Sequence, residues 1–233
     1  MPAYRSVGYS GTQACLKNNG MQNFANIRKD YSKATLDVSS VNQNPIIQFE
    51  KWFGEALQAE VMEPNAMSLA TVNEHGKPSA RIVLLKGLEN NKFVFYTNYQ
   101  SKKGKELEKN PACALTFFWP ELERQVRIEG VTERVDPKLS DLYFQSRPRE
   151  SQVGAWASPQ SGMIQDRSIL EQRFKQIGKK FETLKVLPRP NQWGGYQVDP
   201  LQIEFWQGRP GRLHDRIQYI KVDNAWKIYR LAP

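Results

Sequence analysis

The sequence predicts a mainly β fold with peripheral helices (an α+β protein), built as an antiparallel barrel or sandwich. Short runs rich in Val, Ile, Phe, Tyr and Thr recur along most of the chain, and turn signals such as 89–91 separate them. Few helical segments lie between these runs, which is typical of antiparallel rather than βαβ architecture. A hydrophobic content of 39%, with 11% aromatic residues, is enough for a packed core.

The predicted elements begin with an amphipathic helix over 45–61, in which Ile46, Phe49 and Phe53 share one face after Asn44 as N-cap. Helices are also predicted over 101–109, capped by Ser101, and over 137–145 and 169–183. Residues 146–163 are predicted to be one long loop, and such loops usually hold a ligand. Strands are predicted over 67–72, 81–85, 93–97, 112–119, 125–135, 193–198, 201–207, 216–222 and 225–229.

One domain is predicted for residues 26–233, preceded by a flexible tail over 1–25. The tail is rich in Gly, Ser, Asn and Gln and has no acidic residue. Two interpretations stay open for it, a plain tail and an organellar transit peptide, although Arg5 and Lys17 are its only basic residues. No run approaches the roughly 18 apolar residues of a membrane span, so we expect a cytoplasmic protein.

The chain is strongly basic, with a net charge of +9 and a pI near 9.5. Such an excess suits nucleic acid, an anionic membrane surface or anionic small ligands. The basic residues are spread along the chain and often lie beside aromatic residues or glycines. This distribution favours several discrete anion contacts over a continuous phosphate-tracking stripe.

The sequence lacks the residues that several kinds of catalytic site require. The two cysteines, Cys15 and Cys113, lie in very different contexts, and the two histidines are His75 and His214. A disulfide framework, a zinc site and a histidine-rich catalytic set are therefore not expected, and no nucleophile elbow is present. Chemistry carried by a bound cofactor, with the protein supplying charge and orientation, fits better.

Two segments near the middle of the chain have the chemistry of anion binding. Arg81 and Lys86 flank an apolar strand, and alternation places them on opposite faces unless a bulge intervenes, so they could serve two different anions. Lys102 and Lys103 lie in the first turn of a helix, whose free amides favour phosphate. Both segments could equally be solvated charges at the ends of elements.

Further polar groups follow toward the C-terminus. Tyr143, Arg147, Arg149 and Ser151 could surround a phosphate, while Gln125, Gln160 and Ser161 could read the edge of a heterocycle. In an extended chain, Arg212, His214 and Arg216 would point one way while Leu213 and Asp215 point the other. Two cations around an imidazole suit a planar anionic ligand, and a solvated edge strand is the alternative.

These residues, with the runs around them, resemble pyridoxine (pyridoxamine) 5′-phosphate oxidases. The resemblance extends over about 27–233 in order, and it is strongest at 81–86, 96–97, 102–103, 123–126, 146–152, 154–156, 160–161, 205–208, 212–216 and the terminal 230–233. It implies a split β-barrel that binds FMN at a homodimer interface, with two equivalent sites, and neither nucleic acid nor membrane as a partner. It also implies oxidation of pyridoxine 5′-phosphate or pyridoxamine 5′-phosphate to pyridoxal 5′-phosphate, with O₂ reduced to H₂O₂.

The resemblance also assigns residues, and it implies no metal. FMN contacts fall on Arg81, Ile82, Val83, Leu84, Leu85, Lys86, Tyr96, Thr97, Lys102, Lys103, Gln125, Gln160, Ser161, Trp206 and Arg216. Substrate contacts fall on Arg28, Lys29, Asp30, Tyr31, Lys86, Tyr143, Arg147, Ser151, Arg212, Leu213 and His214. Arg212 and His214 are the implied catalytic residues, positioned over the pyridine ring.

Three positions depart from the family pattern. Lys102 stands where many members have Arg, so a bidentate phosphate contact becomes a single point charge. Glu63 replaces an Asp that is frequent near the substrate, and the turn 209–211 is less polar than the pattern. Two alternatives stay open: a split-barrel FMN protein acting on another substrate, and a non-catalytic basic barrel that binds nucleic acid.

Overall fold

The computed structural model describes residues 30–233, and Tyr31–Pro233 form one compact unit. The predicted tail, and with it Arg28 and Lys29, lies outside the described residues. Within the described part, no helix is long and apolar enough to cross a membrane.

In residues 30–233, nine strands form one antiparallel sheet. They are β1 Ala66–Val72, β2 Pro78–Leu84, β3 Gly87–Glu89, β4 Lys92–Asn98, β5 Ala112–Trp119, β6 Arg124–Arg134, β7 Trp193–Gln207, β8 Asp215–Val222 and β9 Ala225–Leu231. The order is β2–β1–β5–β6–β7–β4–β3, and β8 joins β7 and β9 beside this path.

The described part of the chain also has five α-helices around the sheet: α1 Pro45–Gln58, α2 Lys102–Lys109, α3 Pro137–Ser146, α4 Arg149–Ala157 and α5 Arg167–Lys180. The predicted caps of α1 and α2 are confirmed. The side chain of Asn44 accepts from the amide of Ile46, and the side chain of Ser101 accepts from the amide of Gly104. Each cap satisfies an amide that the helix itself leaves without a partner.

The sheet curls because β7 pairs with two different strands along one edge. Its first half, from Trp193 to Val198, pairs with β4, and its second half, from Gln202 to Gln207, pairs with β8. β6 follows the other edge of β7 throughout, with a register shift between Glu129 and Gly130. The curl also brings the end of β2 to β4, where the amide of Lys86 donates to the carbonyl of Val94 at 2.8 Å. The predicted antiparallel barrel with peripheral helices is thus confirmed as a curled half-barrel.

The compact unit Tyr31–Pro233 contains two hydrophobic cores. The larger lies between α1 and the inner face of the sheet, where Phe49 meets Phe93 edge-on at 4.9 Å and Trp52 meets Phe205 at 5.1 Å. The smaller lies among α3, α4, α5 and the start of β7, and it consists of Phe144, Val153, Phe181, Leu187 and Trp193. Fully burying an aromatic side chain stabilises the fold by about 1.5–3 kcal/mol. The helical layer is therefore anchored to the sheet through Trp193.

Some predicted boundaries were wrong. Residues 146–163 are not one loop, since α4 occupies Arg149–Ala157 within them. The two strands predicted over 193–198 and 201–207 are one strand, because β7 continues through Pro200. The short strand β3 was not predicted at all.

Candidate functional site

A cavity of about 560 Å³ lies between the sheet and the helical layer. This volume is within the usual range of small-molecule sites. Strand β2, the ends of β4 and α3, the first turns of α2 and α4, and the start of β7 all reach it. It is lined by Arg81, Ile82, Val83, Leu84, Lys86, Tyr96, Thr97, Lys103, Tyr143, Ser146, Arg147, Pro148, Ser151, Gln160 and Trp193.

Arg81 is held at one wall of this cavity by a buried carboxylate. Its guanidinium donates to Glu106 at 3.2 Å, to the carbonyl of Leu69 at 3.1 Å, and to the hydroxyls of Thr71 and Ser79. Burial would raise the pKa of Glu106, but hydrogen bonds from Lys102, Thr71 and Ser79 outweigh it and lower that pKa to about 2. Glu106 is therefore ionised, and it fixes the direction of the Arg81 guanidinium.

Lys103 lies next to Arg81 and has no acidic partner of its own among residues 30–233. Its ammonium donates to neutral oxygens of Thr97 at 3.1 Å, Ser101 at 3.3 Å and Gln160 at 3.2 Å. Burial and the positive charge of Arg81 lower the pKa of Lys103 to about 8. A bound anion would offset both causes, so this corner of the cavity favours a negative group.

Arg147 lies at another wall of the cavity, against aromatic rings. Its guanidinium stacks over the Trp193 ring at 4.6 Å, and Tyr96 and Tyr143 stack on each other at 3.9 Å beside the same indole. One of its terminal nitrogens, Nη1, is buried and has no hydrogen-bond partner in the described part of the chain. Such an unpaired buried donor is costly, and an anionic ligand would satisfy it.

The cavity thus carries more positive charge than the surrounding protein neutralises. Among residues 30–233, no carboxylate pairs with Lys86, Lys103 or Arg147, although Glu106 pairs with Arg81. Lys86 follows the end of β2, and it lines the same cavity as Arg81. The prediction that Arg81 and Lys86 lie on opposite faces of one strand was therefore wrong. Strand β2 ends at Leu84, so alternation along the strand does not extend to Lys86.

Six of the predicted FMN contacts do not line this cavity, and three of them, Gln125, Trp206 and Arg216, belong to a second group on β6, β7 and β8. Lys102 and Ser161 line an adjacent cavity of about 630 Å³, which shares Gln160 with the first. There Lys102 pairs with Glu106 at 2.6 Å. Leu85 is buried in the main core, so only its backbone could face a ligand.

A second group of predicted residues lies at the end of β7. The rings of Trp206 and His214 are 4.6 Å apart, and Tyr31 lies edge-on to both, at 5.7 and 5.9 Å. The amide of Arg209 donates to Nδ1 of His214 at 3.1 Å. Burial and the nearby Arg212 lower the pKa of His214. A neutral imidazole whose Nδ1 accepts a hydrogen bond carries its proton on Nε2, which is left as a donor.

Sheet register explains why residues far apart in sequence belong to this second group. Gln125 on β6 is paired with Trp206 on β7, and Trp206 is paired with Arg216 on β8. Arg216 makes a two-pronged ion pair with the buried carboxylate of Glu204, at 2.8 and 3.0 Å. These side chains therefore form one row across three strands, with the cation fixed in place.

The segment before β8 differs from its prediction. Pro210–Arg212 form a turn of 3-10 helix, Arg212 has a φ of 62°, and β8 begins only at Asp215. The alternation expected for an extended chain over 212–216 was therefore wrong at Arg212 and Leu213, both of which are exposed. Among the described residues, the group around Trp206 and His214 does not contribute to the 560 Å³ cavity.

The sequence did not identify Glu106, Glu204 or Trp193 as residues of these sites. Glu106 is four residues after Lys102 on α2, a spacing that predicts an ion pair and could have revealed it. Glu204 and Trp193 carried no comparable signal, because their roles depend on strand pairing and on packing between layers. Arg149, grouped with Arg147 from the sequence, instead donates to the carbonyl of Phe181. In residues 30–233 no cluster of His, Cys, Asp and Glu could hold a metal ion.

Comparison with known proteins gives consistent matches over both parts of the chain. Residues 53–181 match the family model described as pyridoxamine 5′-phosphate oxidase. Residues 193–233 match the model described as the pyridoxine 5′-phosphate oxidase C-terminal dimerisation region. The second match contains Trp206, His214 and Arg216.

Curated relatives and a solved structure are consistent with these family matches. A pyridoxine/pyridoxamine 5′-phosphate oxidase of Burkholderia mallei (strain SAVP1) is 55% identical over 216 residues, which is 91% of this chain and all of that protein. The protein of that name in Burkholderia thailandensis has the same identity and coverage. PhzG from Burkholderia lata 383, solved in complex with tetrahydrophenazine-1-carboxylic acid, superposes with a TM-score of 0.82 at 27% identity, covering 88% of this chain and all of PhzG.

A more distant structure supports the fold alone. An FMN-binding protein of Nostoc punctiforme PCC 73102, related to pyridoxamine 5′-phosphate oxidase, gives a TM-score of 0.65 at 18% identity over 79% of this chain and 97% of that one. Its fold is the split barrel of flavin-binding proteins, which agrees with the curled sheet seen here. With the family matches and the 55% identity to curated relatives, these findings show that the chain belongs to the pyridoxine/pyridoxamine 5′-phosphate oxidase family.

Proposed function

We propose that this protein is an FMN-dependent oxidase that converts pyridoxine 5′-phosphate or pyridoxamine 5′-phosphate to pyridoxal 5′-phosphate, with O₂ reduced to H₂O₂. The observation that carries the proposal is that Lys86, Lys103 and Arg147 line one cavity without an acidic partner in residues 30–233, above all the buried and unpaired Nη1 of Arg147. A cofactor and a substrate that both carry phosphate would supply the missing negative charge. The family membership directs this charge argument to FMN and to the phosphorylated forms of vitamin B6.

The residues of the cavity fit these two phosphates at different walls. Arg81 and Lys103 lie together at the α2 side, with Thr97 and Gln160 as neutral partners, and would hold the FMN phosphate. Arg147 and Ser151, beside the Tyr143 ring, would hold the substrate phosphate. Fixed positive groups of this kind bind and orient anions without having to reorganise.

The C-terminal group would complete the site in a homodimer. The match of residues 193–233 to a dimerisation region supports such a dimer. We propose that Gln125, Trp206 and Arg216 of one protomer face the flavin held by the cavity of its partner. Arg212 and His214 would then approach the pyridine ring, where Nε2–H of His214 donates a hydrogen bond and Arg212 adds positive charge.

FMN, when bound, supplies the redox chemistry by accepting two electrons from the substrate and passing them to O₂. The protein binds both phosphates, orients the substrate carbon toward the flavin and excludes water. None of these roles requires a protein nucleophile or a metal.

The visible spectrum of the purified protein tests this function. We expect flavin bands that bleach when pyridoxine 5′-phosphate is added without oxygen, and that return with air as pyridoxal 5′-phosphate appears. Flavin that stays oxidised would disprove the substrate assignment and keep the cofactor. Protein that neither carries nor takes up FMN would disprove the enzyme assignment.

Two substitutions test the division of roles. Arg81→Ala should weaken FMN binding by about 10- to 100-fold, the loss expected for a charge-assisted hydrogen bond, and should leave turnover of the FMN-saturated protein largely unchanged. Arg212→Ala should lower kcat far more than it lowers FMN affinity. FMN titration followed by steady-state kinetics measures both quantities, and equal effects of the two substitutions on both would refute the division.

One alternative substrate class has direct support. PhzG, which shares the fold closely, was solved with tetrahydrophenazine-1-carboxylic acid, a ring system that carries a carboxylate rather than a phosphate. A flavin protein with another anionic ring substrate is therefore the second candidate. It predicts flavin that pyridoxine 5′-phosphate does not reduce but an aromatic carboxylic acid does.

A further inference from the structure

Glu123, in the turn between β5 and β6, holds the first residues of the compact unit through its carboxylate. Glu123 is buried, and its Oε2 accepts from the backbone amides of Ser32 and Lys33, at 2.8 and 3.0 Å. Its own carbonyl accepts from the amide of Gly208, the residue that follows β7, at 2.8 Å. One residue thus joins the start of this unit to the end of β7.

The fastened segment places Tyr31 against the aromatic group described above. The ring of Tyr31 lies edge-on to Trp206 and to His214, and its Cβ and Cγ atoms pack against Gly208. A Cβ added at Gly208 would stand 2.7 Å from Cγ and 2.8 Å from Cβ of Tyr31, so only glycine leaves room for this residue. The close contact involves the root of the Tyr31 side chain, which cannot swing aside without moving the backbone.

We propose that Glu123 is a positioning residue, which acts through the Ser32 and Lys33 amides to hold Tyr31 as a wall of the Trp206–His214 site. This inference rests on the proposed function where it concerns the substrate, since His214 is the residue that would face the ring. Among the described residues, the carboxylate of Glu123 makes hydrogen bonds to Ser32 and Lys33 and none to Trp206 or His214. Its side chain would therefore act on ligand binding through Tyr31.

The chain provides matched variants for the test. Glu123→Ala removes the acceptor, and Tyr31→Ala removes the wall. Gly208→Ala keeps the carboxylate and blocks the place of Tyr31, and its Cβ would also stand 3.1 Å from Cβ of Glu123. Glu121→Gln is the control, because Glu121 lies in the same turn and contacts Lys33 only through its backbone carbonyl. Gly208→Ala also keeps the test decisive if Glu123→Ala fails to fold.

The first measurement uses the two histidines of the chain. In protein labelled with ¹³C-histidine, His214 should respond to the ring currents of Tyr31, and His75, in an exposed turn, serves as internal reference. We expect Glu123→Ala and Gly208→Ala to move the His214 resonances toward their positions in Tyr31→Ala, with those of His75 unchanged. Unmoved His214 resonances in both variants would overturn the proposal, whether or not the protein binds flavin.

The second measurement is the dissociation constant of pyridoxal 5′-phosphate. Loss of the two backbone hydrogen bonds that Glu123 accepts should release Tyr31 and raise this constant about tenfold in Glu123→Ala, with Glu121→Gln unchanged. The double variant Glu123→Ala/Tyr31→Ala should bind no more weakly than Tyr31→Ala, because the two residues act in series. Additive losses would overturn the role through Tyr31. A parent protein that binds no pyridoxal 5′-phosphate would instead disprove the proposed function, and the His214 resonances would still decide the position of Tyr31.

Discussion

Replacing Lys103 by Met should stabilise the ligand-free protein and weaken its hold on FMN. The ammonium of Lys103 is buried beside Arg81 and has only neutral oxygens as partners. Burial and the charge of Arg81 hold its pKa at about 8 rather than 10.5. The folded state therefore disfavours the charged form, and a side chain of similar length without charge removes that penalty.

The size of this effect follows from the two pKa values. A gap from 10.5 to about 8 corresponds to about 3 kcal/mol at any pH below 8. Partial solvent access and the hydrogen bonds that Met cannot make reduce this figure, so we expect a net gain of about 1 kcal/mol at pH 7. Because the folded pKa is the lower one, the penalty fades as pH rises from about 8 to 10.5. The advantage of the variant should fade with it.

Urea unfolding of the ligand-free protein at pH 7 and pH 10 measures the effect. Lys105→Met is the control, since Lys105 lies on the same helix and is exposed. The variant should also bind FMN more weakly, which an FMN titration shows. A Lys103→Met protein that is less stable than the parent by the same amount at both pH values would refute the reasoning, because its lysine would then be stabilising and not strained.

Two other substitutions test the frame around the cavity. Glu106→Gln should lower the free energy of unfolding by about 1–2 kcal/mol at pH 7. This difference from the parent protein should vanish as pH falls from 4.5 toward 2, because the parent carboxylate then becomes protonated too. Urea unfolding at pH 7 and pH 3 measures the difference. Gly104→Ala should prevent folding or cost several kcal/mol, since its Cβ would lie 2.2 Å from the carbonyl oxygen of Tyr99. Gly178→Ala, in open space on α5, should instead add about 0.5–1 kcal/mol in thermal unfolding, and a similar result for both glycines would contradict the packing described here.

The sequence predicted most elements because their signals are local. The cap of α1 at Asn44 and the cap of α2 at Ser101 are set by neighbouring amides, and strand alternation follows from the backbone. The predictions from the sequence were wrong where contacts between residues far apart in the chain determine the structure. Helix α4 has glycine and serine in its sequence, and packing of Val153 in the smaller core stabilises it. β7 continues through Pro200 because both of its edges find partners on either side of the bend.

The site was predictable in composition and unpredictable in arrangement. The positively charged and aromatic residues were visible in the sequence, but the register that aligns Gln125 with Trp206 and Arg216 is a property of the sheet. At Arg212, a φ of 62° replaces the expected extended conformation. A local sequence pattern does not encode either fact, since both depend on how β7 meets β8.

The positively charged residues of the two sites are of two kinds, those paired with a buried carboxylate and those without such a partner among residues 30–233. Arg81 and Arg216 are paired with Glu106 and Glu204, which fix their direction and neutralise much of their charge. Arg147 and Lys103 have no such partner within residues 30–233, and both have a lowered pKa caused first by burial. A paired cation is an oriented donor, while an unpaired buried cation gains most from an incoming anion. Affinity for the phosphates should therefore depend more on Lys103 and Arg147 than on Arg81, and the fixed direction of the Arg81 and Arg216 donors on their carboxylates.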